Sequence, residues 1–209
     1  MSSPIPAVAV LVSHRITSYE TWKKAFDAHQ PMREGASCLG HSVLRGVDDP
    51  KMVYIYSPAT DVEKVKAFAD SPSLQKAMKD AGVQGPPTLT LLKPMSDDAT
   101  NEPALAGMIV RHQVRDYGAW RKAYDQFDKT RKRLGILGHA VNQVLGNPKE
   151  LVIYHQARDV DTLRSFFDST ELKEAMQRAG TSGTPEVHFV KEVEIAKYAG
   201  GHPPHAKAG

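Results

Sequence analysis

The chain has nine histidines, and several close or open apolar, β-rich runs. His14 and His41 recur as His112 and His139, while His155 and His188 occur only in the second half. Imidazole titrates near neutrality and can take and return a proton under physiological conditions. Tyr19 and Tyr117 follow His14 and His112 at the same short interval, each offering a hydroxyl as donor or acceptor. Trp22, Trp120, Tyr56 and Tyr154 supply flat apolar surface close by in sequence. This set suits deprotonation of an acidic hydroxyl on a small aromatic molecule. The expected catalytic group is His112, Tyr117 and His139, with His14, Tyr19 and His41 as first-half equivalents. The expected ligand-binding group is Trp120, Tyr154, His155, His188, Trp22 and Tyr56. A histidine metal site needs its rings on one face with an open position. Nothing in the spacing supplies that, and no metal or cofactor is expected. There is no glycine-rich phosphate loop, no G-x-S-x-G elbow and no H-E-x-x-H pair.

The elements that position these residues come as a tandem repeat. Residues 8–93 align with residues 106–191 without a gap. The repeat includes Gly40-His41 with Gly138-His139, Ile55-Tyr56 with Ile153-Tyr154 and Ala81-Gly82 with Ala179-Gly180. A unit of this length is a domain, since solenoid repeats run to about 20–50 residues. Each unit opens with a valine-rich run that reads as a buried strand. Ser18 or Asp116 then caps a helix with Tyr19, Trp22 and Phe26, or Tyr117, Trp120 and Tyr124, along one face. Asp48-Asp49-Pro50 and Gly146-Asn147-Pro148 read as hairpin turns. A second helix, interrupted at Ser71-Pro72, ends at Gly82 or Gly180 before a proline-led fourth strand.

The order is βαββαβ, and the fold class is α+β. Two tandem ferredoxin-like units put both helices on one sheet face. Their bare faces pack together into an intramolecular dimeric α+β barrel. The expected division is residues 1–93 for the first unit, 94–105 for a linker, 106–196 for the second unit and 197–209 for a flexible tail. With strands 1 and 3 taken as parallel, His112, His139, His155 and His188 would meet at one end of the second sheet. His14, His41, Ser57 and Thr90 would do so in the first. If only one unit carries a site, the second, richer in histidine, is the expected one.

Composition narrows the partners. The chain of 209 residues is 41% hydrophobic and 24% charged, with net charge +3. Arg121, Lys122, Lys129, Arg131, Lys132 and Arg133 concentrate positive charge on one helix. Aromatics at core spacing make that a solvated face and not a nucleic-acid track. No apolar run is long enough for a membrane helix, and no signal peptide is evident, so a cytoplasmic location is expected. Single Cys38 reads as a small buried hydrophobe, its counterpart being Ile136. The expected partner is a small-molecule ligand or substrate, with no nucleic acid and no membrane. The chain is a self-contained pseudo-dimer, with further homo-oligomerisation left open.

The pattern H-x4-Y-x2-W-x-K-A-[FY]-D, the Gly-His of strand 2 and the Ala-Gly before strand 4 resemble the dimeric α+β barrel superfamily. Within it they resemble proteins of the antibiotic-biosynthesis-monooxygenase-like kind. The resemblance implies two protomers of the usual homodimer fused in one chain. It also implies a cofactor-independent monooxygenase acting on a small aromatic or phenolic molecule. In such enzymes a phenol is deprotonated and the resulting carbanion reduces oxygen directly. The Asn, Trp, Tyr and Arg set of those enzymes has no recognisable counterpart here, because this tryptophan lies on the first helix. The alternatives are a non-catalytic barrel that binds a small ligand and, third, a haem- or metal-binding protein.

Overall fold

The computed structural model describes residues 6–102 and 104–205. The expected unit bounds and tail include residues 1–5, 103 and 206–209, which lie outside the described ones. In the first unit the order is β1 (Val8–Ile16), α1 (Tyr19–Ala28), α2 (Gln30–Gly35), β2 (Gly40–Gly46), β3 (Met52–Ala59), α3 (Val62–Ala69), α4 (Pro72–Asp80) and β4 (Val83–Asp97). The second unit repeats it as β5 (Ala106–Val114), α5 (Tyr117–Gln126), α6 (Asp128–Arg133), β6 (Gly138–Val144), β7 (Asn147–Ala157), α7 (Val160–Asp168), α8 (Thr170–Arg178) and β8 (Thr181–Lys197).

The helix starts follow from the caps. Ser18 accepts from the Thr21 N–H, and Asp116 from the Ala119 N–H. Asp61 and Asp159 cap α3 and α7 in the same way. The break before α4 coincides with Pro72, but α8 breaks at the same place with Thr170 there. The shared cause is the serine before each: Ser71 and Ser169 are extended and cap the next helix, on Leu74 and Leu172. Gly82 and Gly180 follow with φ of 78° and 73°, where a side chain would be strained.

All eight strands form one closed barrel in the order β1-β3-β2-β8-β5-β7-β6-β4. β1 pairs antiparallel with both β3 and β4, and β5 with both β7 and β8. The expected parallel pairing of strands 1 and 3 is therefore wrong. A strand that returns through a hairpin from β2 must run against β1, since β1 and β2 share a direction across the helical crossover. The correction moves residues: His14 lies opposite Val53 at the start of β3, while His41 starts β2 at the other end of the sheet.

The long fourth strands close the barrel. β4 pairs along its first part with β1 and then with β6, Asp97 reaching Ala140. β8 does the same with β5 and then β2, Lys197 reaching Gly40. Closure leaves no free sheet edge within the barrel. Two expectations are corrected here. Residues 94–97, assigned to a linker, belong to β4. The tail is not loose through residue 205, because Tyr198 and His205 are buried and hydrogen-bonded into the body.

Alternation along the strands separates two cores. The barrel interior holds Ala9, Leu44, Tyr54, Tyr56, Leu92, Ile109, Val152 and Tyr154. The opposite face of each sheet packs under the helices, with Trp22, Val43, Val53 and Ile55 in the first unit and Trp120, Val141, Leu151 and Ile153 in the second. Cys38 and Ile136 are both buried, in the small-hydrophobe role expected of Cys38. Among the described residues no helix is long and apolar enough to cross a membrane.

Candidate functional site

Each unit has a cavity between its helices and the outer face of its sheet. The first, of about 120 Å³, is walled by Val10, His14, Trp22, Phe26, Arg33, Cys38, Ser57, Ala69 and Met78, among others. The second, of about 50 Å³, is walled by the equivalent Met108, His112, Trp120, Tyr124, Arg131, His155, Phe167 and Met176. The difference follows from substitutions at matched positions. Ala69 of the first unit is Phe167 in the second, and Ser57 is His155. The larger side chains occupy space that the first unit leaves empty.

The first helix lays an aromatic ladder across each cavity. Trp22 stacks on Phe26 with ring centres 4.8 Å apart, and His14 lies 5.8 Å from Trp22. In the second unit Trp120 stacks on Tyr124 at 4.7 Å, with His112 at 5.9 Å. An arginine closes each ladder. Arg33 sits 3.7 Å over Phe26, and its Nη1 donates to the Phe26 carbonyl at 2.6 Å. Arg131 sits 4.0 Å over Tyr124 and donates to the Tyr124 carbonyl at 3.0 Å. Arg131 is 2% exposed, so it belongs to this wall and not to the solvated basic face inferred from sequence.

His14 and His112 are 6% and 7% exposed, and neither ring nitrogen of either has a hydrogen-bond partner. Burial pulls both down to about 4, so the rings are neutral at pH 7. A buried imidazole without partners forfeits hydrogen bonding that water would have supplied. The other histidines are engaged to differing degrees. His41 is bonded at both nitrogens, to the Tyr198 hydroxyl at 2.7 Å and to Glu194 at 2.9 Å. His139 lies 3.4 Å from an Arg131 nitrogen, and burial and that guanidinium hold it at about 4. His155 meets the Tyr124 hydroxyl at 3.5 Å, and burial, then Arg131, push it well below its ordinary value.

The structure thus brings together part of the expected set. His112 and His155 line one cavity, and His139 pairs with His155 across the strands with rings 6.5 Å apart. His188 does not join them. It opposes Ile109 on the barrel face, 5.2 Å from Tyr54, with Nε2 bonded to Glu186 at 2.8 Å. The expected convergence of four histidines at one sheet end is corrected. His139 and His155 pair there, and His112 lies opposite Leu151 towards the other end because β5 and β7 are antiparallel. His188 is on the barrel face because alternate strand residues face opposite ways. Tyr56 and Tyr154 point into the barrel and away from both helix-side cavities. Tyr19 and Tyr117 lie outside the cavity walls, against Trp22 and Trp120. Among the described residues no group of three or more His, Cys, Asp or Glu is placed to hold a metal ion. Sequence reading missed Arg33 and Arg131. Their identity at matched positions beside a histidine-bearing strand was the available signal.

No protein-family model matches the chain, and no curated protein sequence is significantly similar to it. Solved structures are similar across nearly its whole length. An anthrone oxidase-like protein has a TM-score of 0.65 at 13% identity, covering 93% of this chain and 94% of its own. A candidate monooxygenase from Fusobacterium nucleatum has a TM-score of 0.64 at 10% identity, covering 96% and 98%. A ferredoxin-fold protein from Listeria monocytogenes, described as related to antibiotic biosynthesis monooxygenases, has a TM-score of 0.55 at 8% identity, covering 90% and 96%. At these identities the likeness is one of fold, and the chain shares with these proteins a dimeric α+β barrel, built here from two ferredoxin-like units on one polypeptide.

Proposed function

We propose that the first unit's helix–sheet cavity binds a single-ring phenolic molecule, and that the protein is a cofactor-independent monooxygenase acting on it. One observation carries the reading: a neutral, buried His14 with both nitrogens free borders an apolar cavity of about 120 Å³. A dry engineered cavity of about 150 Å³ holds benzene, so the space suits one aromatic ring. Trp22 and Phe26 give that ring a stacking wall. The free imidazole nitrogen accepts its hydroxyl proton. The reading prefers the first unit over the second, whose equivalent cavity of about 50 Å³ is bordered by the bulkier His155 and Phe167.

The chemistry balances without a further group. His14 takes the hydroxyl proton, breaking O–H and forming N–H, and the negative charge spreads to ring carbon. That carbon passes electrons to oxygen and forms a C–O bond, and the resulting peroxide takes the proton back from His14, breaking N–H and forming O–H, to give a hydroperoxide. Loss of water leaves a carbonyl, so that CH₂ and O₂ become C=O and H₂O. The neighbours' names support oxygenation as the reaction class.

A specific observation favours a second reading, in which the cavity binds without catalysis. His14 at about 4 is a weak base. Against a phenol near 10 the transfer is uphill by about 6 units, roughly 8 kcal/mol, before the ion pair's own attraction is counted. Two measurements separate the readings: Trp22 fluorescence in a Trp120→Phe background titrated with phenol and hydroquinones, and oxygen uptake with the same compounds. Binding and uptake that both fall with His14→Ala support the oxygenase. Binding without uptake leaves a ligand-binding barrel. Absence of binding sinks both.

A further inference from the structure

The barrel interior contains a slot that the chain itself fills. After β8 the chain runs back along β2: the Tyr198 N–H donates to the Leu39 carbonyl at 3.1 Å, and a side chain at Gly201 would strike that carbonyl. His205, the last described residue of the strap, is 5% exposed and lies inside the barrel. Its ring lies between Tyr56 and Tyr154, the same position of the two units, at 5.7 and 5.6 Å and tilted by only 9° and 7°. Nδ1 meets Asp97 Oδ2 at 3.2 Å, and Asn101 holds the backbone at both N–H and C=O.

The slot offers more polar atoms than His205 uses. Glu192 is 2% exposed and accepts from Ser42 through Oε1, while its Oε2 has no partner. The buried Tyr154 hydroxyl also has none. A space of about 30 Å³ adjoins the ring, bordered by Ser42, Asn142 and both tyrosines. Two parallel aromatic walls, a carboxylate at the ring edge and an orphaned second carboxylate oxygen form the recognition set for a flat ring bearing N–H groups.

We infer that the barrel interior is a binding site for a planar nitrogen heterocycle of the imidazole class, separate from the phenol cavity, and that His205 is its tethered occupant. Asp97 accepts one ring N–H, and Glu192, bonded to the Ser42 that borders the adjoining space, offers its unpaired Oε2 to a second polar group on a ligand larger than the histidine ring. The strap competes with a free ligand through its high effective concentration, so the intact chain binds weakly and release of the strap exposes the site.

The test uses full-length protein and 4-methylimidazole, the histidine side chain as a free molecule, with toluene as the apolar control. His205→Ala is expected to lower Tm. Millimolar 4-methylimidazole should then raise it saturably by several degrees, at least tenfold more effectively than in the unsubstituted protein. Toluene should do less, and adding Asp97→Asn should weaken the response. Equal responses in both proteins, or none in His205→Ala, overturn the inference. Should His205→Ala not fold, Asn101→Ala loosens the strap instead. There, 4-methylimidazole should shift the His205 NMR signal toward that of an exposed histidine, and an unmoved signal under saturating 4-methylimidazole overturns the proposal.

Discussion

Replacing Ala69 with Phe, the residue at the matched position of the second unit, tests whether the first cavity is retained for a ligand. An unfilled cavity costs about 24 cal/mol per Å³. The cavities of about 120 and 50 Å³ then cost about 3 and 1 kcal/mol, a difference near 2 kcal/mol. Ala69→Phe places a ring into that space and should recover part of the difference, up to about 2 kcal/mol, or roughly 4–8 °C in Tm for a chain of this size. The same ring occupies the place of the ligand, so phenol binding followed by Trp22 fluorescence should fall at least tenfold. Urea unfolding measures the first effect and titration the second. A variant that binds phenol as well as the parent refutes the assignment of the site. Lower stability would show that the cavity cannot take the ring its twin accommodates.

Two further outcomes follow from the geometry. His14, His112 and His139 each sit near 4 in the folded protein against about 6.5 when unfolded, so the unfolded state binds more protons between those values. Stability is therefore full above about pH 6.5 and falls as pH drops towards 4, by up to about 3 kcal/mol for each histidine; urea midpoints across that range should be less steep in pH for His14→Phe, and an unchanged slope contradicts the burial argument. Gly107 faces Tyr154, and a Cβ there would lie 2.5 Å from the ring. Gly107→Ala should push Tyr154 towards His205 and cost about 1–3 kcal/mol in thermal or urea unfolding, whereas a neutral result would show that the tyrosine has room to move.

The architecture was legible because it is written in local signals. The repeat, the caps at Ser18, Asp116, Asp61 and Asp159, the left-handed Gly82 and Gly180, and the Trp22 and Trp120 stripes each report on a few neighbouring residues. The candidate site was legible only in part. His14 and His112 were singled out, but strand direction and face decide which residues meet, and these are properties of the whole sheet. Hence His188 was grouped with histidines on the opposite face. Arg131 was read as solvated because it lies in a basic helix, and Arg33 was missed because a lone arginine in a short polar helix carries no signal; only tertiary packing shows a guanidinium turned onto Tyr124 or Phe26. The tail was misread for a related reason. Glycine, proline and histidine give no periodicity, yet Tyr198 and His205 are ordered by hydrogen bonds to Arg33, His41, Asp97 and Asn101, residues far away in sequence.

Duplication explains how the two units came to differ around the same frame. In a homodimer, any substitution that fills one cavity fills both. Here Phe167 and His155 tighten the second unit while Ala69 and Ser57 leave the first open. The same asymmetry extends to what seals each unit. The end of β8 and the strap reach across to the first unit, where the Tyr198 hydroxyl accepts from Arg33 Nε at 2.6 Å. In the second unit the corresponding arginine instead meets Asp128 of its own helix and His139. The guanidinium beside the larger cavity is therefore held partly by a segment of the other half of the chain, and that beside the smaller one by partners of its own half. One frame thus supports a hollow and a packed version of the same site, with their differences confined to residues that a single chain can vary independently.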